Sequence, residues 1–256
     1  SPAVYVMTNS RSLAPADAER VNREVVASAL ASAKRLGVEV DFVSRSDSTL
    51  RGHFPLEPDT IAAALEKNGE RGVDGVVLVP AFPEAGRITL RGIHYAGSAE
   101  AGYVPAAESE FAKDNTFGYA HSMIADWVEE KTGGRTPAGQ VLLIDIETLR
   151  TDPDRTVEIL RSARDSQPIA VDVVEASDLR ALALALIRAE EAGSRFVYRV
   201  GPPFVRERIG QVAHEPLTSE EIAQSRSGRI PSAGGLVVVG SHVGVTARQL
   251  DRLTAR

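Results

Sequence analysis

The chain has 256 residues, of which 43% are hydrophobic, and this is enough to bury one large core or two smaller ones. Its formal net charge of −6 excludes the broad basic surface that holds nucleic acid by counterion release. The absence of cysteine excludes disulfides, thiolate zinc sites and cysteine nucleophiles, and no apolar run approaches the roughly 20 residues of a membrane-spanning helix.

Short apolar, β-branched runs alternate with longer helical patterns along the first 212 residues. Strands are predicted over residues 3–8, 38–44, 75–80, 140–146, 169–174 and 194–199, and helices over residues 15–36, 56–68, 120–131, 152–164, 177–192 and 203–212. In the first helix, Pro15 lies in the first turn and Gly37 follows the end, as is common in helices. Strand runs such as VVLVP and VLLID are apolar throughout, which indicates strands covered on both faces. The pattern predicts an α/β fold with three layers, in which helices flank a mostly parallel sheet.

This alternation lapses after residue 212. Residues 213–234 are polar and contain two prolines, so they predict an interdomain linker. Residues 235–240 then read as a strand, followed by a turn of small residues and a helix. One strand and one helix are too little for a domain, so we expect residues 235–256 to be the opening βα unit of a second α/β domain. Residues 1–212 form the first domain in this interpretation.

Polar side chains follow the ends of three predicted strands, where ligands bind in open parallel sheets. The first strand precedes TNSRS (8–12), the second precedes RSDSTLRGH (45–53), and the third precedes PAFPEAGR (80–87). Arginine is a rigid fork of donors that suits a carboxylate or phosphate, whereas hydroxyl, amide and carboxylate groups suit sugar hydroxyls. The sequence therefore predicts a site for a polyhydroxy acid or a phosphorylated ligand. The candidate substrate-binding residues are Asn9, Ser10, Arg11, Asp47, Ser48, Arg51 and Arg87.

A structural role is the alternative for each of these residues taken alone. Asp47 and Ser48 are residue types that commonly cap helices, and a single arginine such as Arg51 or Arg87 more often forms a surface ion pair. Their shared place on one predicted edge of one sheet favours the binding site.

The turn GSHVGVT (240–246) lies between the last predicted strand and helix. A helix N-terminus attracts phosphate, which makes Ser241 a candidate nucleotide contact, although a simple helix cap by Ser241 or Thr246 is the alternative. The turn lacks the Gly-Lys-Ser/Thr of a P-loop, and the chain has no GxGxxG or GxSxG motif and no histidine pair at helical spacing. We therefore predict no metal-ligating residues, and a dinucleotide dehydrogenase is disfavoured.

Several of these motifs resemble the four-carbon acid sugar kinase family, whose bacterial members phosphorylate acids such as threonate and erythronate with ATP. The matching segments are MTNSRS (7–12), DSTLRG (47–52), PAFPEAGR (80–87), EFAKD (110–114), FGY (117–119), YRVGPPF (198–204) and VVGSHVGVTARQL (238–250). The GPP of YRVGPPF departs from the commoner small-residue run of the family. By this resemblance, residues 1–212 are the substrate-binding domain and residues 235–256 open the ATP-binding domain. The family's Asp-Asp-x-Thr-Gly strand and later glycine-rich motifs do not occur in the sequence, so we expect an incomplete copy of a longer enzyme.

The resemblance implies an ATP-dependent kinase that phosphorylates a hydroxyl of a short sugar acid, usually with Mg²⁺. It implies that Asp47 and Ser48 face substrate hydroxyls, that Arg51 and Arg87 bind the carboxylate or neutralise the transferring phosphoryl group, and that Ser241 meets the nucleotide phosphates. Asp47 is one candidate for the catalytic base, and an aspartate of the missing family motif is the other.

Two alternatives from other classes stay open. The chain would be a non-catalytic module that binds sugar acids, or a Rossmann-like oxidoreductase acting on hydroxy acids. We expect a cytoplasmic protein, because the chain lacks cysteine and its first residues do not have the pattern of a signal peptide. We also expect a homodimer with no nucleic-acid or membrane partner.

Overall fold

The computed structural model describes residues 3–212, 215, 217–225, 237–240 and 244–255. The chain divides into two compact units, which comprise residues 1–213 and 214–256. The first unit holds the sheets, the core and the candidate site. No helix in the described ranges is long and apolar enough to cross a membrane.

The first unit is an α/β fold with two sheets. Its elements in chain order are α1 (Pro15–Leu36), β1 (Val43–Arg45), α2 (Leu56–Lys67), β2 (Gly75–Val79), β3 (Arg87–Leu90), β4 (Ile93–Ser98), β5 (Gly102–Pro105), α3 (Ile124–Lys131), β6 (Leu142–Ile144), α4 (Ile146–Thr151), α5 (Pro153–Ser162), β7 (Gln167–Val171), α6 (Ala176–Glu191), β8 (Phe196–Val200) and α7 (Pro202–Arg208). The main sheet is parallel with strand order β1-β8-β2-β7-β6, and β3, β4 and β5 form a second, antiparallel sheet. The predicted α/β fold with a mostly parallel sheet flanked by helices is confirmed.

Helices cover the parallel sheet on both faces, as the continuous apolar strands predict. Val77 of β2 packs in a cluster that includes Leu182 of α6, whereas the next residue, Leu78, packs in a different cluster with Trp127 of α3. Because successive side chains of a strand point to opposite faces, these clusters lie on the two sides of the sheet. A third cluster joins α1 and α2 to Val197 of β8.

The second unit is described in two helices, α8 (Ser219–Ser225) and α9 (Gly244–Thr254). Helix α8 lies inside the stretch that the sequence predicts as a linker. The run SEEIAQS contains helix-forming residues, but the polarity of the whole stretch led to the linker prediction. Residues 237–240 carry no strand, contrary to the sequence prediction. Ser241 lies outside the described residues.

Two predicted strands of the first unit differ most from the structure. Residues 3–8 form no strand, and Val4 and Met7 are among the most exposed apolar side chains described. An isolated apolar run has high strand propensity, but a strand forms only where a neighbouring strand completes its hydrogen bonds. The second predicted strand, residues 38–44, shortens to β1, which pairs only with β8 at the edge of the sheet.

The sequence prediction also misses the β3–β4–β5 sheet and helix α4. Arg91 and Gly92 form the two-residue turn between β3 and β4, both with positive φ (53° and 73°). Such hairpin turns usually carry Asn-Gly or Asp-Gly, so Arg-Gly gives little indication of one. Helix α4 begins directly after Asp145, whose carboxylate accepts a hydrogen bond from the Thr148 amide at 2.8 Å and caps the helix.

Candidate functional site

The loop after β1 contains the acid and the arginine that the sequence singles out. Asp47 Oδ1 accepts hydrogen bonds from the Thr49 amide at 2.8 Å and from the Thr49 hydroxyl at 2.5 Å, which closes an Asx-turn. The loop is fixed to the main sheet by the Ser46 amide, which donates to the Val200 carbonyl at 2.8 Å. Helix α2 begins only at Leu56, so the alternative that Asp47 caps a helix is wrong. Asp47 shapes a turn instead.

Two arginines converge on the second oxygen of this carboxylate. Arg11 Nη1 forms an ion pair with Asp47 Oδ2, and Arg51 Nη2 lies 3.4 Å from the same oxygen. Arg51 also donates from Nε to the Thr49 hydroxyl at 2.8 Å and from Nη1 to Asp114 at 3.2 Å. The Arg51 guanidinium is therefore held in place by three partners.

Arg87 reaches the same cluster from the PAFPEAGR segment. Gly86 has φ 73°, and a Cβ at this position would lie 1.7 Å from the Gly97 carbonyl oxygen, so only glycine fits the turn that leads into β3. The guanidinium groups of Arg87 and Arg51 lie 5.5 and 5.2 Å from the ring centroid of Phe111, within the range of cation–π attraction.

The Arg87 guanidinium is poorly satisfied by the protein. Its Nη1 donates to the Ala85 carbonyl, while its Nε is buried and has no hydrogen-bond partner among the described residues. Burial and the nearby Arg51 charge lower the pKa of Arg87, and the attraction of Asp47 does not fully compensate. A buried donor that the protein leaves unpaired is unusual and is suited to an anionic ligand.

Asp47 is ionised, and both of its carboxylate oxygens contact donors of the protein. Burial alone would raise its pKa, but the hydrogen bond from the Thr49 hydroxyl and the charges of Arg11 and Arg51 outweigh it and hold the pKa of Asp47 below the usual value. Both carboxylate oxygens accept hydrogen bonds from this shell. Such a carboxylate is a weak proton acceptor.

The N-terminal loop contributes one predicted residue to the cluster and directs another elsewhere. Arg11 pairs with Asp47, whereas the Ser10 hydroxyl donates to Glu57 at 2.5 Å. Glu57 forms a buried ion pair with Arg199, so Ser10 joins a network beneath the site. Asn9 is exposed with φ 51°, and its side chain forms no hydrogen bond within the described residues.

The structure thus brings together Arg11, Asp47, Arg51 and Arg87 of the predicted site residues. Ser48 lies in the same loop, where its carbonyl accepts a hydrogen bond from His94 at 2.8 Å. The sequence patterns assign no site role to Asp114 and Phe111, although both lie in EFAKD, a segment that matches the kinase family.

The cluster borders a small cavity and is partly exposed to solvent. Asp47 and Arg51 line a cavity together with Leu50, Leu78 and Trp127, and it holds only about 20 Å³, which is room for about one water. The side chains of Arg11, Asp47 and Arg51 keep exposed fractions of 46%, 16% and 14%. With Arg87 and Asp114, the cluster has three guanidinium groups against two carboxylates and a net charge of +1. The charge of the cluster therefore suits an anion.

A cationic, hydroxyl-bearing cluster at the strand ends of an α/β domain is typical of a domain that binds small polar ligands. The family described as "Sugar-binding N-terminal domain" matches residues 1–208. The chain belongs to this family.

Curated relatives with kinase names match larger or smaller parts of the chain. A protein from Heliobacterium modesticaldum named D-erythronate kinase is 26% identical over 251 residues, which cover 96% of this chain and 49% of the relative. A protein from Bordetella bronchiseptica named D-threonate kinase is 39% identical over 111 residues, which cover 43% of this chain and 23% of the relative. These names confirm the resemblance to four-carbon acid sugar kinases. The chain spans about half or less of the length of these relatives.

Solved structures show the same fold. A crystal structure of a domain of unknown function from Bordetella bronchiseptica, described with bound citrate and as a domain-swapped dimer, aligns with a TM-score of 0.57 at 26% identity. The alignment covers 80% of this chain and 43% of that chain. A protein from Haemophilus influenzae aligns over 96% of this chain and 53% of its own with a TM-score of 0.57 at 18% identity.

Proposed function

We propose that this chain binds a four-carbon sugar acid at the cluster of Arg11, Asp47, Arg51 and Arg87, and that the protein carrying it phosphorylates a hydroxyl of that acid with ATP. The observation that carries the proposal is the buried, unpaired Nε of Arg87 within a cluster of net positive charge. The kinase names of two relatives and the citrate described in a solved relative support an acid as the ligand.

In this proposal the arginines bind the acid and the loop orients its hydroxyls. Arg87 is the main contact of the carboxylate, because its donors are the least used by the protein. Arg51 adds charge from the same side, and Asp47 with Ser48 accepts hydrogen bonds from the substrate hydroxyls. Phosphoryl transfer depends chiefly on positioning and charge stabilisation, so these groups suit a kinase.

We assign Asp47 to holding hydroxyls rather than to proton transfer. Its lowered pKa and its engagement with Thr49, Arg11 and Arg51 oppose a role as base. Mg²⁺ stays part of the proposal, because in kinases it is held by one or two carboxylates together with the ATP phosphates and does not need a cluster of three ligating side chains. Ser241 stays a candidate contact for the ATP phosphates.

The test uses the full-length protein that carries this chain in a coupled assay of ATP consumption. D-Erythronate, D-threonate and related four-carbon acids are compared with acids of three and six carbons. Turnover restricted to four-carbon acids is expected, and its absence with every acid at millimolar concentration would refute the kinase proposal.

A non-catalytic sugar-acid module is the second candidate, because the chain spans about half of the H. modesticaldum kinase relative. Calorimetry on this chain and the ATP assay on the full-length protein together separate the two candidates: acid binding by the chain without ATP turnover by the full-length protein favours the module. Family membership favours both over the hydroxy-acid oxidoreductase.

We also propose a homodimer and a cytoplasmic location. The domain-swapped dimer described for the B. bronchiseptica structure supports the homodimer, and the absence of cysteine supports a reducing compartment. Light scattering on the purified protein tests the dimer, and fractionation of cells tests the location.

A further inference from the structure

We propose that His94 and Tyr119 are positioning residues, which bind no ligand themselves but fix the backbone of the site loop, residues 47–51, so that Asp47 and Arg51 face the same acid. The expected effect on acid binding rests on the proposed function, whereas the effect on the loop conformation rests on the hydrogen bonds of the loop alone.

His94 lies on β4 directly across from Thr89 of β3 and is fully buried. Its Nε2 lies 2.8 Å from the Ser48 carbonyl oxygen, and its Nδ1 lies 3.0 Å from the Thr89 hydroxyl. Because a carbonyl can only accept, Nε2 carries the proton and donates, and Nδ1 accepts from Thr89. The ring therefore ties the antiparallel sheet to the site loop.

The charge state of His94 agrees with this arrangement. Burial lowers its pKa to about 4, and the neighbouring Arg87 charge acts in the same direction. The ring is neutral at pH 7, so its two nitrogens differ: one is a donor and the other an acceptor.

Tyr119 makes the corresponding contact with the next residue of the loop. Its buried hydroxyl donates to the Thr49 carbonyl at 2.8 Å. Burial raises the pKa of Tyr119, so the phenol keeps its proton and stays a donor. Two consecutive carbonyls of the loop, those of Ser48 and Thr49, are thus held by side chains from outside it.

These two hydrogen bonds come directly before a strained residue. Leu50 has φ 62°, a left-handed conformation that a leucine rarely adopts, and its side chain is buried. Such strain persists only where the surrounding structure enforces it. The turn at Leu50 brings the Arg51 guanidinium back to the Asp47 carboxylate. The contact between these two site residues therefore depends on the strained conformation, which the hydrogen bonds of His94 and Tyr119 stabilise.

Three substitutions test the inference. His94→Phe removes the donor to Ser48, His94→Gln keeps an amide donor near the position of Nε2, and Tyr119→Phe removes only the hydroxyl. His121→Phe is the matched control, because His121 is half exposed and pairs with Glu130. The first readout is hydrogen exchange at the Thr49 amide, which donates to Asp47 and needs no ligand to be measured.

We expect the Thr49 amide to exchange at least tenfold faster in His94→Phe and Tyr119→Phe, and within threefold of the wild-type rate in His94→Gln and His121→Phe. The second readout is calorimetric affinity for D-erythronate or D-threonate, which should fall at least fivefold in His94→Phe and Tyr119→Phe only. Ring ¹⁵N NMR of the wild-type protein should show the Nε2–H tautomer of His94 at pH 7.

The outcomes separate this inference from the proposed function. Unchanged exchange at Thr49 in Tyr119→Phe overturns the inference, and this variant decides the matter if His94→Phe does not fold. Equal loss of affinity in His94→Gln and His94→Phe also overturns it, because donation by the ring would then be irrelevant. If the wild-type chain binds none of the acids, the proposed function fails, while the exchange result still judges the role of the two residues in the loop.

Discussion

Replacing Arg87 by methionine should separate binding from stability more sharply than any other change in the site. Methionine keeps an unbranched, largely apolar side chain of similar reach and removes the guanidinium. In the described structure this group donates one hydrogen bond, to Ala85, and leaves its buried Nε unpaired. The comparison is Arg51→Met, because the Arg51 guanidinium contacts Thr49, Asp47 and Asp114.

The structure gives different magnitudes for the two variants. A hydrogen bond from a charged donor contributes about 1.5–3 kcal/mol, and an unpaired buried donor costs about 1–3 kcal/mol, so the two effects offset at Arg87. We expect its loss to change the free energy of unfolding by no more than about 1 kcal/mol, or about 2–4 °C in Tm. The loss of three partners in Arg51→Met should cost about 2–3 kcal/mol.

Arg87→Met, which should change stability little, should strongly reduce the affinity for the acid. Removing the charged partner of a bound carboxylate costs about 2–5 kcal/mol, so Arg87→Met should weaken binding roughly 30-fold or more. The assay is titration calorimetry with D-erythronate and D-threonate, paired with thermal unfolding followed by circular dichroism. Arg20→Met on the exposed surface of α1 is the control.

Two results would contradict this reasoning. Affinity within threefold of wild type would show that Arg87 does not bind the acid. A loss of stability in Arg87→Met as large as in Arg51→Met would show that the guanidinium serves the fold, whatever its effect on the ligand.

Three further predictions concern stability. Gly86→Ala should lower the free energy of unfolding by at least about 2 kcal/mol in urea, because its Cβ would lie 1.7 Å from the Gly97 oxygen; an unchanged midpoint would contradict this close approach of the two segments. Burial would raise the pKa of Glu57, but the Arg199 charge and the hydrogen bonds outweigh it and hold the pKa below 4.5. The stabilisation by ionised Glu57 is therefore present above pH 4.5 and is lost as the pH falls below it. In urea titrations, Glu57→Gln should reduce this loss of stability at acid pH. The pKa of His94 falls from 6.5 to about 4 on folding, so the unfolded chain binds more protons than the folded chain between these pH values. The free energy of unfolding should therefore drop by about 3 kcal/mol from pH 7 to pH 4. A His94→Gln variant with the same dependence of stability on pH would refute this.

Local patterns were sufficient for the elements that bury a regular face. The predicted bounds of α1, residues 15–36, are confirmed, because its apolar spacing, its proline and its terminal Gly37 all act within the helix. Strand β2 is likewise confirmed, since a run buried on both faces has few alternatives. The prediction failed at residues 3–8, where strand propensity was present and no pairing strand met it.

The pattern of apolar runs and strand-end motifs is enough to predict the α/β fold and most of the cationic cluster. Asp47 and Arg51 are four residues apart in one loop, and the strand ends of a parallel sheet meet at one edge, so the sequence alone predicts that Arg87 lies near them. Only the tertiary structure showed how these groups are held. The residues that hold them come from segments distant from the loop along the chain: His94, Phe111, Asp114 and Tyr119. No local sequence pattern predicts that a buried histidine or tyrosine donates to a particular carbonyl. Hydrogen bonds between distant segments depend on the packing of the whole unit, and that packing decides whether Asp47 and Arg51 face one ligand.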